Sequence, residues 1–206
     1  MTDGKRVLDL AVSLPVFVLS LPVQAVVAVA VRRKLGSPVL FSQERPGLGG
    51  RVFVMRKFRT MLEPDPAKGL VTDADRLTPF GTFLRSTSLD ELPTLWNIVR
   101  GDMSLVGPRP LLVRYLDRYS PEQARRHEVR PGLTGLAQVS GRNTVSWEQR
   151  LGLDVEYVDN HSFRGDLSII ARTVAAVLRR DGISAEGDVT MPEFMGSNDS
   201  VSGSEK

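Results

Sequence analysis

The chain has 206 residues, room for one modest domain plus an appendage but not for two catalytic domains. Its 27 lysines and arginines exceed its 24 acidic residues, a mildly basic balance that suits contact with phosphates or an anionic membrane face. With no cysteine and only His127 and His161 as histidines, disulfides, iron–sulfur clusters and a Cys/His zinc site are excluded or nearly so, and any catalytic metal is expected to be hard and oxygen-bound.

In chain order the first element is apolar. Leu10–Val31 reads "LAVSLPVFVLSLPVQAVVAVAV", 22 residues without a charge, enough for about 33 Å of helix or one hydrocarbon core. No small-residue cleavage site with a polar start follows it, so the segment is expected to be retained. Pro15 and Pro22 each remove a backbone donor and oppose a straight helix. Lys5 and Arg6 lie before the run and Arg32, Arg33 and Lys34 after it. Two basic flanks fit a re-entrant segment that dips into one leaflet and returns to the same face. A kinked span that crosses the membrane fits the residues equally well.

After Gly36 the chain reads as a soluble domain. Alternating apolar and polar residues around Pro46–Gly50 predict a hairpin with strands near Val39–Ser42 and Arg51–Arg56. Gly47, Gly49 and Gly50 are turn residues here, since no strand–helix crossover makes them a dinucleotide fingerprint. Residues 62–78 form a polar loop long enough to act as a flap. Helical patterns follow over Leu89–Arg100, Leu111–Tyr119, Glu122–Glu128, Ser146–Asn160 and Leu167–Asp181. In the last, Leu167, Ile170, Ala171, Val174, Val177 and Leu178 are expected to face the core, with a headgroup-level helix as the alternative. The expected fold is α+β and predominantly helical. It comprises a membrane anchor over 1–35, a small globular domain with a β-hairpin over 36–195 and a disordered tail over 196–206.

The chemistry concentrates in "RSTSLDELPTLWNIVRGDMSLVGPRP", Arg85–Pro110. Ser88 and Glu91 match a capping box, in which Ser88 caps a helix and Glu91 reaches back to the cap's amide. That reading leaves Asp90 as a charge at the positive helix end. Arg85, Asp102 and Arg109 nearby favour more, because an ionised aspartate beside arginines and a divalent cation suits a nucleophile that attacks phosphorus. Arg125, Arg126, Arg130 and Arg142 stand among glycines that would let backbone amides approach an anion; the alternative is a solvated basic face. His127 is expected at the surface rather than as a general base.

These residues resemble the bacterial sugar transferase family, the monotopic phosphoglycosyl transferases. The match runs through "KRVLDL", "RPGL", "KFRTM", "SLDELP", "GDMSLVGPRP", "RPGLTGLAQVSGRN", "LDVEYV" and "EGDVT", nearly the whole chain. The resemblance implies that Asp90 attacks the β-phosphorus of a UDP-sugar, releases UMP and passes the phospho-sugar to undecaprenyl (polyprenyl) phosphate, the first membrane step of glycan assembly. It implies Mg²⁺, with Mn²⁺ as a substitute, at Asp90 and Glu91, and active-site roles for Arg85 and Arg109. Thr134, Gln138 and Arg142 in "LTGLAQVSGRN" become candidates for nucleotide contact. A re-entrant helix on the cytoplasmic face of the inner membrane is implied too, although Leu21-Pro22 stands where the family often has Ser-Pro or Lys-Pro. No nucleic-acid partner is expected. Two other functions fit parts of the sequence: a membrane-anchored basic scaffold, and a glycosyltransferase without a covalent step that releases UDP.

Overall fold

The structure, a computed structural model, describes residues 3–141, 146–179 and 193–196. Helix α1 (Asp3–Lys34) takes up the apolar run and continues through both prolines. The expected break is thus a proline-bearing stretch inside one helix, not a non-helical interruption. Side chains supply some of the bonding there. Ser20 Oγ donates to the Phe17 carbonyl at 2.9 Å, and Gln24 Nε2 donates to Ser20 Oγ at 2.9 Å. The most apolar 18-residue window of this helix has a mean hydropathy of 2.3, and Leu14, Val16, Val18, Leu19, Val23 and Val26 are exposed. An apolar face of this extent marks a contact surface, and its length and hydropathy suit a membrane.

The hairpin forms as expected but with longer strands. β1 (Leu40–Pro46) pairs antiparallel with β2 (Val52–Phe58), in register from Leu40↔Phe58 to Pro46↔Val52. Gly49 and Gly50 in the turn have φ of 61° and 75°, which L side chains rarely adopt. Period two turns Phe53 and Met55 toward the main core and leaves Lys57 on that same strand face. Residues 62–78 contain α2 (Asp73–Arg76) and two antiparallel bridges, Met61↔Leu77 and Asp65↔Leu70.

The rest is α3 (Pro79–Ser86), α4 (Leu95–Arg100), β3 (Ser104–Val106), α5 (Pro121–Ala124), β4 (Gly132–Thr134), α6 (Leu136–Ser140), α7 (Trp147–Asn160) and α8 (Phe163–Arg179). β3 and β4 pair in parallel. The architecture is α+β and mainly helical, as expected. The helix expected over Leu89–Arg100 divides into a 3₁₀ stretch, Leu89–Thr94, followed by α4. Pro93 is the reason: it lacks an N–H and crowds the carbonyl four residues back. The helix expected over Leu111–Tyr119 is likewise a 3₁₀ segment, Val113–Arg118.

The main core joins Leu95 and Ile98 of α4, Met103, Leu105 and Val106 around β3, Val129, Tyr157 and Val158 of α7, and Ile169 of α8. One correction concerns α8. Its buried residues are Asp166 and Ile169, whereas Leu167, Ala171, Val174 and Leu178 are exposed, so most of the apolar set expected in the core faces outward. The tail expected over 196–206 lies outside the described residues apart from Gly196.

Both ends of α1 are fastened to this one body. At its start Lys5 Nζ binds Asp166 Oδ2 of α8 at 2.5 Å, and Arg6 donates to the Ile98 and Val99 carbonyls at the negative end of α4. Asp9 Oδ1 accepts from Ser104 Oγ and the Leu105 amide, both at 2.9 Å. At its other end Val27, Val31 and Leu35 pack with Phe58 and Leu84. Lys5 and Arg6 are therefore structural ties and not a headgroup-facing flank, since a 161-residue chain reversal brings Asp166 back to neutralise the buried Lys5.

Candidate active site

Ser88 is where the sequence reading needs its main correction. Only Thr87 and Ser88 separate α3 from the 3₁₀ stretch, so the chain reverses sharply, and Ser88 adopts φ 54°, ψ 18°. An N-cap requires extended backbone, and Ser88 makes no side-chain cap bond. Its carbonyl accepts from the Glu91 amide at 3.2 Å instead. A left-handed non-glycine residue carries strain of order 1 kcal/mol, tolerated where the surroundings over-determine it. Here it aims the next two side chains.

Those side chains diverge. Glu91 turns to Arg109, whose Nη2 donates to Oε1 at 3.0 Å. Asp90 is 5% exposed, and its carboxylate accepts no hydrogen bond from the described residues. Burial raises its pKa to about 6, with help from Glu91, while Lys57, Arg85 and Arg109 pull it down. Three cations therefore surround one weakly held carboxylate. Lys57 is half-buried, its Nζ over the Phe41 ring at 5.6 Å, and burial lowers its proton affinity. Arg85 is fixed by an Nε bond to Thr60 Oγ1 at 3.0 Å.

Arg109 is positioned from behind. Pro108 and Pro110 restrict its backbone, and Arg126 Nη2 donates to its carbonyl at 2.7 Å. Arg126 is itself locked by Asp154, through Nε at 3.0 Å and Nη2 at 2.7 Å, with 1% and 3% of the two side chains exposed. Arg109 nonetheless keeps 42% of its side chain exposed, so solvent reaches it.

The structure brings together Arg85, Asp90, Glu91 and Arg109 of the expected site residues. Thr134 is not with them: it is buried and shares a 2.7 Å hydroxyl–hydroxyl bond with Thr173 of α8. Gln138 of α6 has both amide atoms buried without a partner. Arg142 lies outside the described residues. Arg125 pairs with Glu122, Glu128 and Asp159, and Arg130 donates to the Gly101 carbonyl, so these arginines brace the fold. The glycines expected to admit an anion instead admit backbone. A Cβ on Gly132 would lie 2.1 Å from the Gly107 nitrogen, and one on Gly135 2.1 Å from the Gly107 oxygen. His127 is half-buried rather than superficial, with its pKa pushed down to about 4 by burial and then by Arg126.

Sequence reading missed Lys57 and Asp154 as parts of this arrangement, and it expected Arg126 to meet an anion where the structure pairs it with Asp154. For Lys57 a signal existed, since a lysine at i+2 and i+4 from Met55 and Phe53 occupies the inward strand face. Asp154 on α7 offered none, because only the packing of α7 against residues 125–127 makes it Arg126's partner.

Among the described residues no three His, Cys, Asp or Glu side chains gather around one point. Asp90 and Glu91 offer two adjacent carboxylates, which suit Mg²⁺ or Mn²⁺ when phosphate oxygens and water complete the shell. Carboxylate oxygens are the kind of donor that a hard divalent ion takes.

The family model described as bacterial sugar transferase matches residues 2–180. A Bacillus subtilis protein named as the uncharacterized sugar transferase EpsL is 50% identical, over 95% of this chain and 97% of its own. The UDP-glucose:undecaprenyl-phosphate glucose-1-phosphate transferase of Caulobacter vibrioides is 44% identical, over 86% of this chain and 70% of its own. The undecaprenyl-phosphate galactose phosphotransferase of Salmonella typhimurium is 38% identical over 86% of this chain, which spans 41% of that longer relative.

Proposed function

The chain belongs to the bacterial sugar transferase family, and from that premise we propose that it moves a phospho-sugar from a UDP-sugar to undecaprenyl phosphate through a covalent intermediate on Asp90. The observation that carries the reading is the buried Asp90 carboxylate, which accepts no hydrogen bond from the described residues and lies in the field of Lys57, Arg85 and Arg109. A nucleophile needs available lone pairs. Bringing a carboxylate to an anionic diphosphate costs about 4 kcal/mol per charge pair at 4 Å and an effective dielectric of 20, and each cation in the ring offsets a similar amount.

In the first step Asp90 Oδ forms a bond to the β-phosphorus. The bond from that phosphorus to the bridging oxygen breaks, and UMP leaves with the electron pair. In the second, a phosphate oxygen of the polyprenyl phosphate attacks the same phosphorus and the Asp90–phosphorus bond breaks, which restores the carboxylate and gives polyprenyl diphospho-sugar. Arg109 and Arg85 orient the phosphoryl oxygens, and Glu91 holds Arg109 in place. A divalent ion held by Asp90 and Glu91 would neutralise charge on the diphosphate. The exposed apolar face of α1, with both helix ends tied to one domain, supports attachment to a single membrane face, which we assign to the cytoplasmic side of the cell membrane where UDP-sugars reside.

Mass spectrometry of the purified chain, given UDP-sugar without acceptor, tests the reading. One phospho-sugar on Asp90 and one released UMP per chain are expected, and none for Asp90→Asn. An adduct elsewhere, or UDP as the product, would overturn it.

A further inference from the structure

Arg45, near the turn end of β1, has no part in the proposed chemistry, yet it sits beside Arg109. Its Nη1 donates to the Pro110 carbonyl at 3.2 Å and its Nη2 to Gln43 Oε1 at 2.6 Å, both neutral acceptors. Its Nε is buried without a partner, and among the described residues no carboxylate pairs with it. Burial and Arg109 together lower its pKa to about 10. Guanidinium groups gathered this way repel one another. Glu91 is paired with Arg109 and Asp154 with Arg126, so neither is given to Arg45. Such a group is stable chiefly when an anion with several oxygens enters it.

From this arrangement we infer that Arg45 and Arg109 form a second phosphate subsite, distinct from the position over Asp90, that takes the phosphate departing with the nucleotide. The inference rests on the donor being a nucleotide sugar. Direction favours the nucleotide over the lipid. Leu40 of β1 pairs with Phe58, which packs on Val31 and Leu35 at the end of α1. Arg45 lies five residues further along the strand, roughly 17 Å away at 3.4 Å per residue. Arg109 spans the interval, since it touches Glu91 and lies near Arg45. Along the hairpin from the Val31–Leu35 end of α1 the order is Asp90, Glu91, Arg109, Arg45, so a diphosphate whose β-phosphorus sits on Asp90 would carry its nucleotide half toward Arg45.

The test is direct binding of UMP and of uridine to the full chain in nanodiscs, by equilibrium dialysis, for wild type, Arg45→Gln and Arg45→Lys. Losing a charge-assisted bond to phosphate is expected to weaken UMP binding about 10-fold or more in Arg45→Gln. Uridine binding stays unchanged, and Arg45→Lys recovers part of the loss. The wild-type UMP affinity also falls more steeply with salt than that of Arg45→Gln. Equal UMP binding by wild type and Arg45→Gln overturns the subsite. So does an equal loss of UMP and uridine, which indicates a structural role for Arg45. A rise in KM confined to undecaprenyl phosphate, with UMP binding intact, also overturns it and assigns Arg45 to the acceptor. Because binding needs no turnover, wild type that binds UMP through Arg45 yet releases UDP from the donor would refute the covalent reaction and leave the subsite standing.

Discussion

Asp90 and His127 are displaced in opposite directions, the carboxyl up to about 6 and the imidazole down to about 4. Between pH 4 and 6 folded Asp90 keeps a proton that the unfolded chain has released, so its contribution to stability falls as pH rises. Between pH 6.5 and 4 unfolded His127 gains a proton that the folded ring refuses, so its contribution falls as pH drops. Each effect is of order 3 kcal/mol at its limit, and through pH 4–6 they largely cancel. Wild-type stability is therefore expected to be nearly flat there. Asp90→Asn, by contrast, should be more stable than wild type near neutral pH and lose that advantage steeply on acidification. Urea midpoints across the range check this, and parallel profiles for the two proteins would contradict it. The Asp90 adduct should also form faster as pH rises through about 6, with the limb unmoved by His127→Gln. Asp90, Glu91, Arg85 and Arg109 were legible because they crowd one short stretch. For Lys57 and Arg45 the strand pattern shows at most an inward face, which becomes a site wall only after the hairpin closes over residues 90–109.

The parallel pairing of β3 with β4 depends on backbones closer than side chains permit. Gly107 donates to the Thr134 carbonyl at 2.9 Å, Gly132 donates to the Pro108 carbonyl at 3.0 Å, and a Cβ on Gly107 would lie 2.4 Å from the Arg130 oxygen. Gly107→Ala is expected to lose more than 2 kcal/mol by overpacking and to shift Pro108–Pro110, so activity should fall further than stability alone predicts. Thermal unfolding and UMP release together measure both effects. Behind the same loop, Asp154→Ala leaves Arg126 charged and buried, which should destabilise the fold by about 3–5 kcal/mol. These elements were only half legible. Hydropathy located α1 and period two located the hairpin, but the 3₁₀ stretch at Leu89–Thr94 replaced a helix because Pro93 overrode its neighbours' propensity. The outward apolar face of α8 escaped because periodicity reports a stripe without saying which way it points.

For the whole molecule, attachment of both ends of α1 to one body predicts a single-face topology. Cysteines placed at Thr2 and at Ser204 of this cysteine-free chain should react with an impermeant thiol reagent from the same side of sealed vesicles. Labelling from opposite sides would refute it. The tie between Lys5 and Asp166 also has a consequence in time. A ribosome adds roughly 5–20 residues per second, so the 161 residues between them take about ten to thirty seconds to emerge. Throughout that interval Lys5 has no Asp166 to receive it, and Arg6 and Asp9 wait for Ile98 and Ser104, 92 and 95 residues further on, while the hydrophobic run that follows is already complete. The nascent helix must therefore meet lipid with its polar groups uncovered, and its final depth is set only when α8 arrives. Stalled chains that end before Ser104 should leave a cysteine at position 9 open to thiol reagents, and chains released beyond Arg179 should protect it.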